Sequence, residues 1–204
     1  MQPFDLFPSL IQKNLIRLEK RDRKEREEGL DRLHRLRQIP RETGEFLFQF
    51  LITFIPQFPE FWGLEIGTSG GYSTLWQGMA LVNCGQGNLI SLDHDPKKFQ
   101  LASANIASTE VDKYVTLVHE DARKYLKTSQ NRFNYVFMDC EKEDYLCFFN
   151  LLVSRLKLGT VLIADNVVSH ADDMEEFLNQ IKIDTRISSA ILPIGRGLAL
   201  IRWI

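Results

Sequence analysis

Two apolar runs near the C-terminus, Ile187–Leu192 and Leu198–Arg202, are separated only by Pro193-Ile194-Gly195-Arg196-Gly197. A parallel crossover takes a dozen or more residues, so these two strands must run antiparallel. Upstream the texture differs. Strand-like runs at Phe61–Ile66, Asn88–Leu92, Val115–Val118, Tyr135–Met138 and Thr160–Ala164 alternate with helical patterns at Tyr72–Val82, Pro96–Ala107, Ala122–Lys127 and Tyr145–Leu156. Alternation with short links indicates an α/β domain with a parallel core. The expected architecture is a seven-stranded, mostly parallel sheet with helices on both faces, finished by one antiparallel hairpin. A further helix is expected at Met174–Ile183, and another at Phe46–Ile55, stopped by Pro56.

Residues 10–38 read differently. Leu10, Ile11, Leu15 and Leu18, then Leu30, Leu33 and Leu36, recur at helical spacing, with Gly29 dividing two expected helices. Between Arg17 and Arg37 there are nine basic and six acidic residues, a mildly positive stretch that suits a solvated helix face or a surface for a polyanion. The whole chain carries a net charge of −2, so no global basic field demands nucleic acid. Cys84, Cys140 and Cys147 lie outside any CxxC spacing, which points to a reducing compartment. The apolar run Phe46–Ile55 is half the length of a membrane span, and Met1–Leu10 lacks the pattern of a signal peptide. A soluble, cytoplasmic protein without a membrane partner is expected.

The segment Leu64-Glu65-Ile66-Gly67-Thr68-Ser69-Gly70-Gly71-Tyr72-Ser73 leads from a strand through a glycine turn into a helix. Such a turn brings backbone close to a ligand and offers free N–H groups to an anion. Gly67-Thr68-Ser69-Gly70-Gly71 fits the GxSxG spacing of a nucleophile elbow, for which His170 is the one histidine after His119. A nicotinamide fingerprint would need glycine where Ser69 stands. Asp93, 22 positions after Gly71, suits ribose hydroxyls in either a dinucleotide or an S-adenosylmethionine enzyme. Glu65, two residues before the first glycine, favours the latter.

Asp139 follows the fourth strand and Asp165 the fifth, with Asn166 next. On neighbouring parallel strands these ends lie about 5 Å apart at the ligand-binding edge of the sheet. Two carboxylates and an amide oxygen form a hard donor set suited to Mg²⁺, Mn²⁺ or Ca²⁺. Polar residues that merely cap loops occur at such positions too.

Met138-Asp139-Cys140-Glu141-Lys142-Glu143-Asp144-Tyr145 and Leu158-Gly159-Thr160-Val161-Leu162-Ile163-Ala164-Asp165-Asn166 resemble motifs of the cation-dependent O-methyltransferases of the catechol and caffeoyl-coenzyme-A type. The likeness includes Glu42-Thr43-Gly44-Glu45-Phe46-Leu47, the glycine turn, and Leu192-Pro193-Ile194-Gly195-Arg196-Gly197-Leu198, so it covers residues 39–204. It implies a Rossmann-like S-adenosylmethionine-dependent methyltransferase domain over 39–204, preceded by a charged helical extension over 1–38. By the same resemblance Asp139, Asp165 and Asn166 fall on the divalent-metal ligands, and Lys142 on the general base, with Asp139 beside it in catalysis. Glu65, Gly67 and Ser73 fall around the methionine end of S-adenosyl-L-methionine, Asp93 on its ribose, Asp121 and Ala122 along its adenine, and Asp139 also beside the cofactor.

The implied acceptor is a small catechol-like or vicinal-oxygen compound. A hydroxylated base in tRNA, or a non-catalytic cofactor-binding subunit, is the alternative, and a homodimer is the family's usual assembly, with the N-terminal helices as its interface. Two departures matter. Pro193 follows Asn166 by 27 positions, where relatives carry a longer insertion over the acceptor. The pocket should therefore be more open, or be closed by the N-terminal helices or a partner subunit. Arg196 stands where relatives often have Asp.

Overall fold

The computed structural model describes residues 2–204. Its strands are β1 (Trp62–Ile66), β2 (Asn88–Asp93), β3 (Val115–His119), β4 (Phe133–Met138), β5 (Leu156–Ala164), β6 (Ile187–Leu192) and β7 (Leu198–Trp203). They form one sheet in the order β3-β2-β1-β4-β5-β7-β6. The pairs among β1 to β5 are parallel, whereas β7 is antiparallel to both β5 and β6. The expected hairpin is thus present, and its second strand is the one inserted beside β5, which leaves β6 at the edge.

Among the described residues seven α-helices surround the sheet: α1 (Ser9–Glu27), α2 (Arg41–Phe54), α3 (Tyr72–Cys84), α4 (Pro96–Ile106), α5 (Ala122–Thr128), α6 (Tyr145–Leu152) and α7 (Glu175–Ile183). Side chains alternate across β4. Tyr135 and Phe137 join a core with Leu15, Leu47, Trp76 and Ile106 from α1 to α4, while Val136 and Met138 face Leu126, Phe149 and Phe177 from α5 to α7. Period-two alternation on a sheet buried on both faces produces this division. Burying these apolar side chains at about 1.5–3 kcal/mol each is the main stabilising contribution.

Several expected boundaries shift. The helix expected at Phe46 begins at Arg41, directly after Pro40, whose fixed φ suits a helix start. The helix expected to run to Leu156 ends at Leu152, because β5 begins at Leu156, before the expected Thr160. A register shift opposite Phe133 absorbs the added residues. The second N-terminal helix is replaced by one 3-10 turn, Arg32–His34, in an otherwise extended strap. Gly29 turns the chain at φ +67°, and Leu30 and Leu33 stay exposed while Leu36 is buried. The short run after Gly29 has one buried leucine to anchor it, too little apolar surface to sustain a helix. The first helix does more than extend the domain: Ile11, Leu15 and Leu18 are buried in the main core.

Candidate active site

A cleft of about 810 Å³ opens at the C-terminal ends of the central strands. Its floor is aligned by a backbone ladder that continues one step past the strands. Gly67 and Thr68 donate to the Leu92 carbonyl (3.0 and 3.1 Å), Asp139 N–H donates to Ile66 (3.0 Å), and Asp165 N–H donates to Met138 (3.0 Å). Gly67, Asp139 and Asp165 are therefore brought level at the sheet edge. The register Met138↔Ala164 places the two acids on adjacent strand ends, as their positions after apolar runs predict.

Asp165 is fully buried, and neither carboxylate oxygen has a hydrogen-bond partner. Burial, reinforced by the Asp139 charge, pushes its carboxyl above the ordinary range. The Asn166 amide nitrogen is likewise buried without a partner, and Asn166 adopts φ +69° directly after Asp165. Among the described residues no three His, Cys, Asp or Glu side chains gather as a metal cluster. The set here is two acids and an amide. Buried carboxylate oxygens without donors are costly, and a hard divalent cation is the partner that their chemistry fits.

Lys142 is buried beside this pair. Its Nζ donates to Asp139 Oδ1 (3.2 Å), the Cys140 carbonyl (3.0 Å) and the Tyr145 hydroxyl (3.2 Å). An ammonium has three donors, so the structure shows Lys142 fully hydrogen-bonded and aimed at Asp139. The Tyr145 hydroxyl, buried in turn, lies 3.0 Å from the Met138 carbonyl and 3.1 Å from that of Asp165. Tyr145 thus ties the lysine to both strand ends, a role that its place in the motif does not disclose.

The glycine turn packs against the same point. Gly67 has φ +105°, and a Cβ there would lie 1.9 Å from the Asp139 carbonyl oxygen, so only glycine fits. Asp93 accepts the Ser69 N–H (2.7 Å) and the Asp95 N–H (2.8 Å), and it lines the cleft with Asp121 and Ala122. Asp121 caps α5 by accepting from Arg123 N–H at 2.7 Å. Carboxylate oxygens hold about four acceptor sites, so Asp93 retains capacity for hydroxyls.

Glu65 and Ser73, expected around the methionine end of the cofactor, are buried and hydrogen-bonded to each other beneath the turn. Glu65 alternates with Leu64 and Ile66 and so points to the α3 side of the sheet. There it accepts from Ser73 (2.5 Å), Thr74 (2.5 Å), Ser91 (2.5 Å) and Gln77 (2.6 Å). Burial pushes its carboxyl up to about 7 against the opposing effect of those four bonds. In this arrangement the two residues brace the turn.

The nucleophile-elbow reading fails on contact geometry, because Ser69 Oγ donates to the Leu36 carbonyl at 2.7 Å rather than to a histidine. That bond also belongs to a closure the sequence left open. The strap after α1 lines the cleft through Arg32, Leu33, Arg35, Leu36 and Arg37. Arg32 and Arg37 pair with Glu141, next to Lys142, and Glu25 accepts the Leu36 N–H at 2.8 Å. The N-terminal segment of the same chain thus supplies part of the cleft wall.

A family model described as O-methyltransferase matches residues 24–204. The chain is similar to a catechol O-methyltransferase of Niastella koreensis, 32% identical over 117 residues, covering 55% of this chain and 52% of the relative. A catechol O-methyltransferase of Mycobacterium tuberculosis is 33% identical over 106 residues, covering 52% and 47%. The matches to these two thus span about half of their length. A caffeoyl-CoA O-methyltransferase of Medicago sativa is 24% identical over 165 residues, covering 69% of this chain and 66% of the relative. Among solved structures, an O-methyltransferase from Bacillus cereus in complex with SAH superposes with a TM-score of 0.75 at 22% identity, over 98% of this chain and 93% of that one. The SAH-bound Podospora anserina methyltransferase PaMTH1 gives 0.80 at 19% identity, over 97% and 89%. These structures share the fold described above.

Proposed function

The chain belongs to the O-methyltransferase family, and on that premise we propose that it transfers a methyl group from S-adenosyl-L-methionine to a hydroxyl of a small catechol-like or vicinal-oxygen acceptor, with a divalent cation. The observation that carries the reading is the pair of unpartnered, buried Asp165 oxygens beside Asp139 at the floor of the cleft. Asp139, Asp165 and Asn166 would hold the cation, Mg²⁺ being the first expectation and Mn²⁺ or Ca²⁺ also suiting oxygen donors. When bound, the cation supplies charge that eases ionisation of an acceptor hydroxyl, and the cofactor supplies the methyl on its sulfonium.

The remaining work falls to the chain. Asp93 accepts ribose hydroxyls, Asp121 and Ala122 border the base, and Gly67 leaves the backbone bare where a side chain would obstruct. Lys142, as an ammonium, orients Asp139; in neutral form its Nζ can take the acceptor's proton. In-line methyl transfer depends mostly on alignment, and the ladder that levels Gly67, Asp139 and Asp165 provides it. The strap held by Glu141 limits water at the mouth.

A small acceptor is favoured over tRNA because four of the seven basic residues of α1 are engaged locally. Arg21, Lys24 and Arg26 pair with Glu25, Glu28 and Asp22, and Arg17 bonds Asn14 and Asn105. The test is transfer of labelled methyl to a panel of catechols with Mg²⁺ or EDTA, beside a binding control with S-adenosylhomocysteine. Loss of transfer with EDTA and in Asp165→Ala supports the reading. Cofactor-product binding without transfer to any catechol overturns the acceptor assignment and makes RNA the next acceptor.

A further inference from the structure

A second hollow, of about 450 Å³, adjoins the cleft and shares Arg26 and Arg196 with it. Its walls come from α1, from the chain entering α2, and from the β6–β7 turn. Its acids are already engaged. Glu19 accepts from Arg41 through both oxygens (3.0 and 2.7 Å) and from the Tyr72 hydroxyl (2.6 Å). Asp22 binds Arg26 at 2.8 Å and accepts the Gln38 N–H at 3.3 Å. Two guanidinium groups on the same walls, Arg23 and Arg196, form no ion pair among the described residues.

Arg196 is also held in place. Its carbonyl accepts from Val168 (3.3 Å) and Ser169 (3.0 Å), and the Gly197 carbonyl accepts from Val167 (3.0 Å), which ties the turn to the segment just after Asp165 and Asn166. A Cβ on Gly197, at φ +90°, would strike Val168 at 2.3 Å, so the turn is packed tightly on that segment. Arg196 therefore lines both the cleft and the outer hollow, and stands where the two meet.

The geometry points to an oxyanion seat in this hollow, in which Arg23 and Arg196 bind a carboxylate or phosphate-type group at the distal end of the acceptor. Guanidinium groups suit such planar or tetrahedral oxyanions through paired N–H donors. An acceptor whose hydroxyls lie at the acid pair would extend past Arg196 and place its anionic end in the outer hollow. The inference rests on the reading of the cleft as an acceptor site, and its test is a binding measurement that does not require turnover.

The experiment is isothermal titration of the full chain, saturated with S-adenosylhomocysteine and Mg²⁺, with catechol, dihydroxybenzoate, dihydroxyphenylpropionate and the phosphonate analogue of the last. Methyl transfer to each is measured in parallel. At least one anionic probe is expected to bind about tenfold tighter than catechol, a difference of about 1.4 kcal/mol. Arg196→Gln and Arg23→Gln should each reduce that preference several-fold, Arg196→Lys should restore part of it, and added salt should weaken it. The carboxylate and phosphonate arms identify which oxyanion is preferred. Equal binding of neutral and anionic probes, binding of neither, or a preference unchanged in both variants overturns the seat. An arginine-dependent preference without methyl transfer keeps the seat and overturns the catalytic reading; transfer without any such preference does the reverse.

Discussion

The backbone N–H of Asp165 donates to the carbonyl of Met138 at 3.0 Å, so the acid after β5 stands level with the acid after β4. The hydrogen-bond ladder of a parallel sheet thereby sets the spacing of two carboxylates, and burial leaves the Asp165 oxygens without donors. The site's behaviour towards cations and protons follows from that pair.

Mg²⁺ or Mn²⁺ should raise the melting temperature. At a hundredfold excess over Kd, cation binding to the folded state adds about 2.7 kcal/mol. Because burial and Asp139 raise the Asp165 carboxyl, protons compete with the cation. The cation-induced shift in Tm should therefore grow as pH rises from about 5 to about 8. Thermal melts with and without cation check this, and Asp165→Asn should remove most of the shift.

Tyr145→Phe removes the hydroxyl that accepts from Lys142 and sits between two backbone carbonyls. A loss of about 1–2 kcal/mol in stability is expected from buried groups left without a partner. Methyl transfer should fall about tenfold or more as Asp139 and Lys142 lose alignment. Denaturant unfolding and steady-state kinetics on the same preparation separate the two effects.

Glu65 imposes its own pH dependence on stability. Its folded carboxyl sits at about 7, above the ordinary value of 4.5, chiefly through burial. The folded state thus binds this proton more tightly than the unfolded chain. The resulting contribution is fully present below about 4.5 and is lost as pH rises through about 7, on the order of 3 kcal/mol. Glu65→Gln should flatten the stability–pH curve in that window, although its amide then faces the Gln77 amide. A wild-type curve equally flat from pH 4.5 to 7 would contradict the assignment.

Gly67→Ala places a Cβ 1.9 Å from the Asp139 carbonyl oxygen at φ +105°. A destabilisation of about 2 kcal/mol or more is expected. Affinity for S-adenosylhomocysteine should fall at least about tenfold, because the turn must move away from Asp139. Calorimetric titration of the folded variant measures this directly.

Glu141→Gln weakens the anchor that Arg32 and Arg37 share. The strap should open more often, so limited proteolysis near residues 29–35 should quicken severalfold. The Leu36 contacts with Glu25 and Ser69 remain, so the core should melt within about 1 kcal/mol of wild type.

Local physics makes much of this molecule readable from its residues. The β–α alternation, the antiparallel end forced by a five-residue link, and acids directly after apolar strands depend on neighbours in the chain, and the sheet brings Asp139 and Asp165 together as those positions imply. The side of the sheet that Glu65 takes follows from the same local rule, since period-two alternation sets it on the face opposite Leu64 and Ile66. Only the tertiary structure decided what the strap does, that Tyr145 holds Lys142, and that Arg196 stands between cleft and outer hollow. The strap rests on contacts between distant segments, such as Arg37 with Glu141 or Ser69 with Leu36, and Tyr145, only three residues after Lys142, reaches the distant Asp165 carbonyl. No periodicity encodes such pairs, because their partners are chosen by how whole elements pack rather than by spacing along one of them.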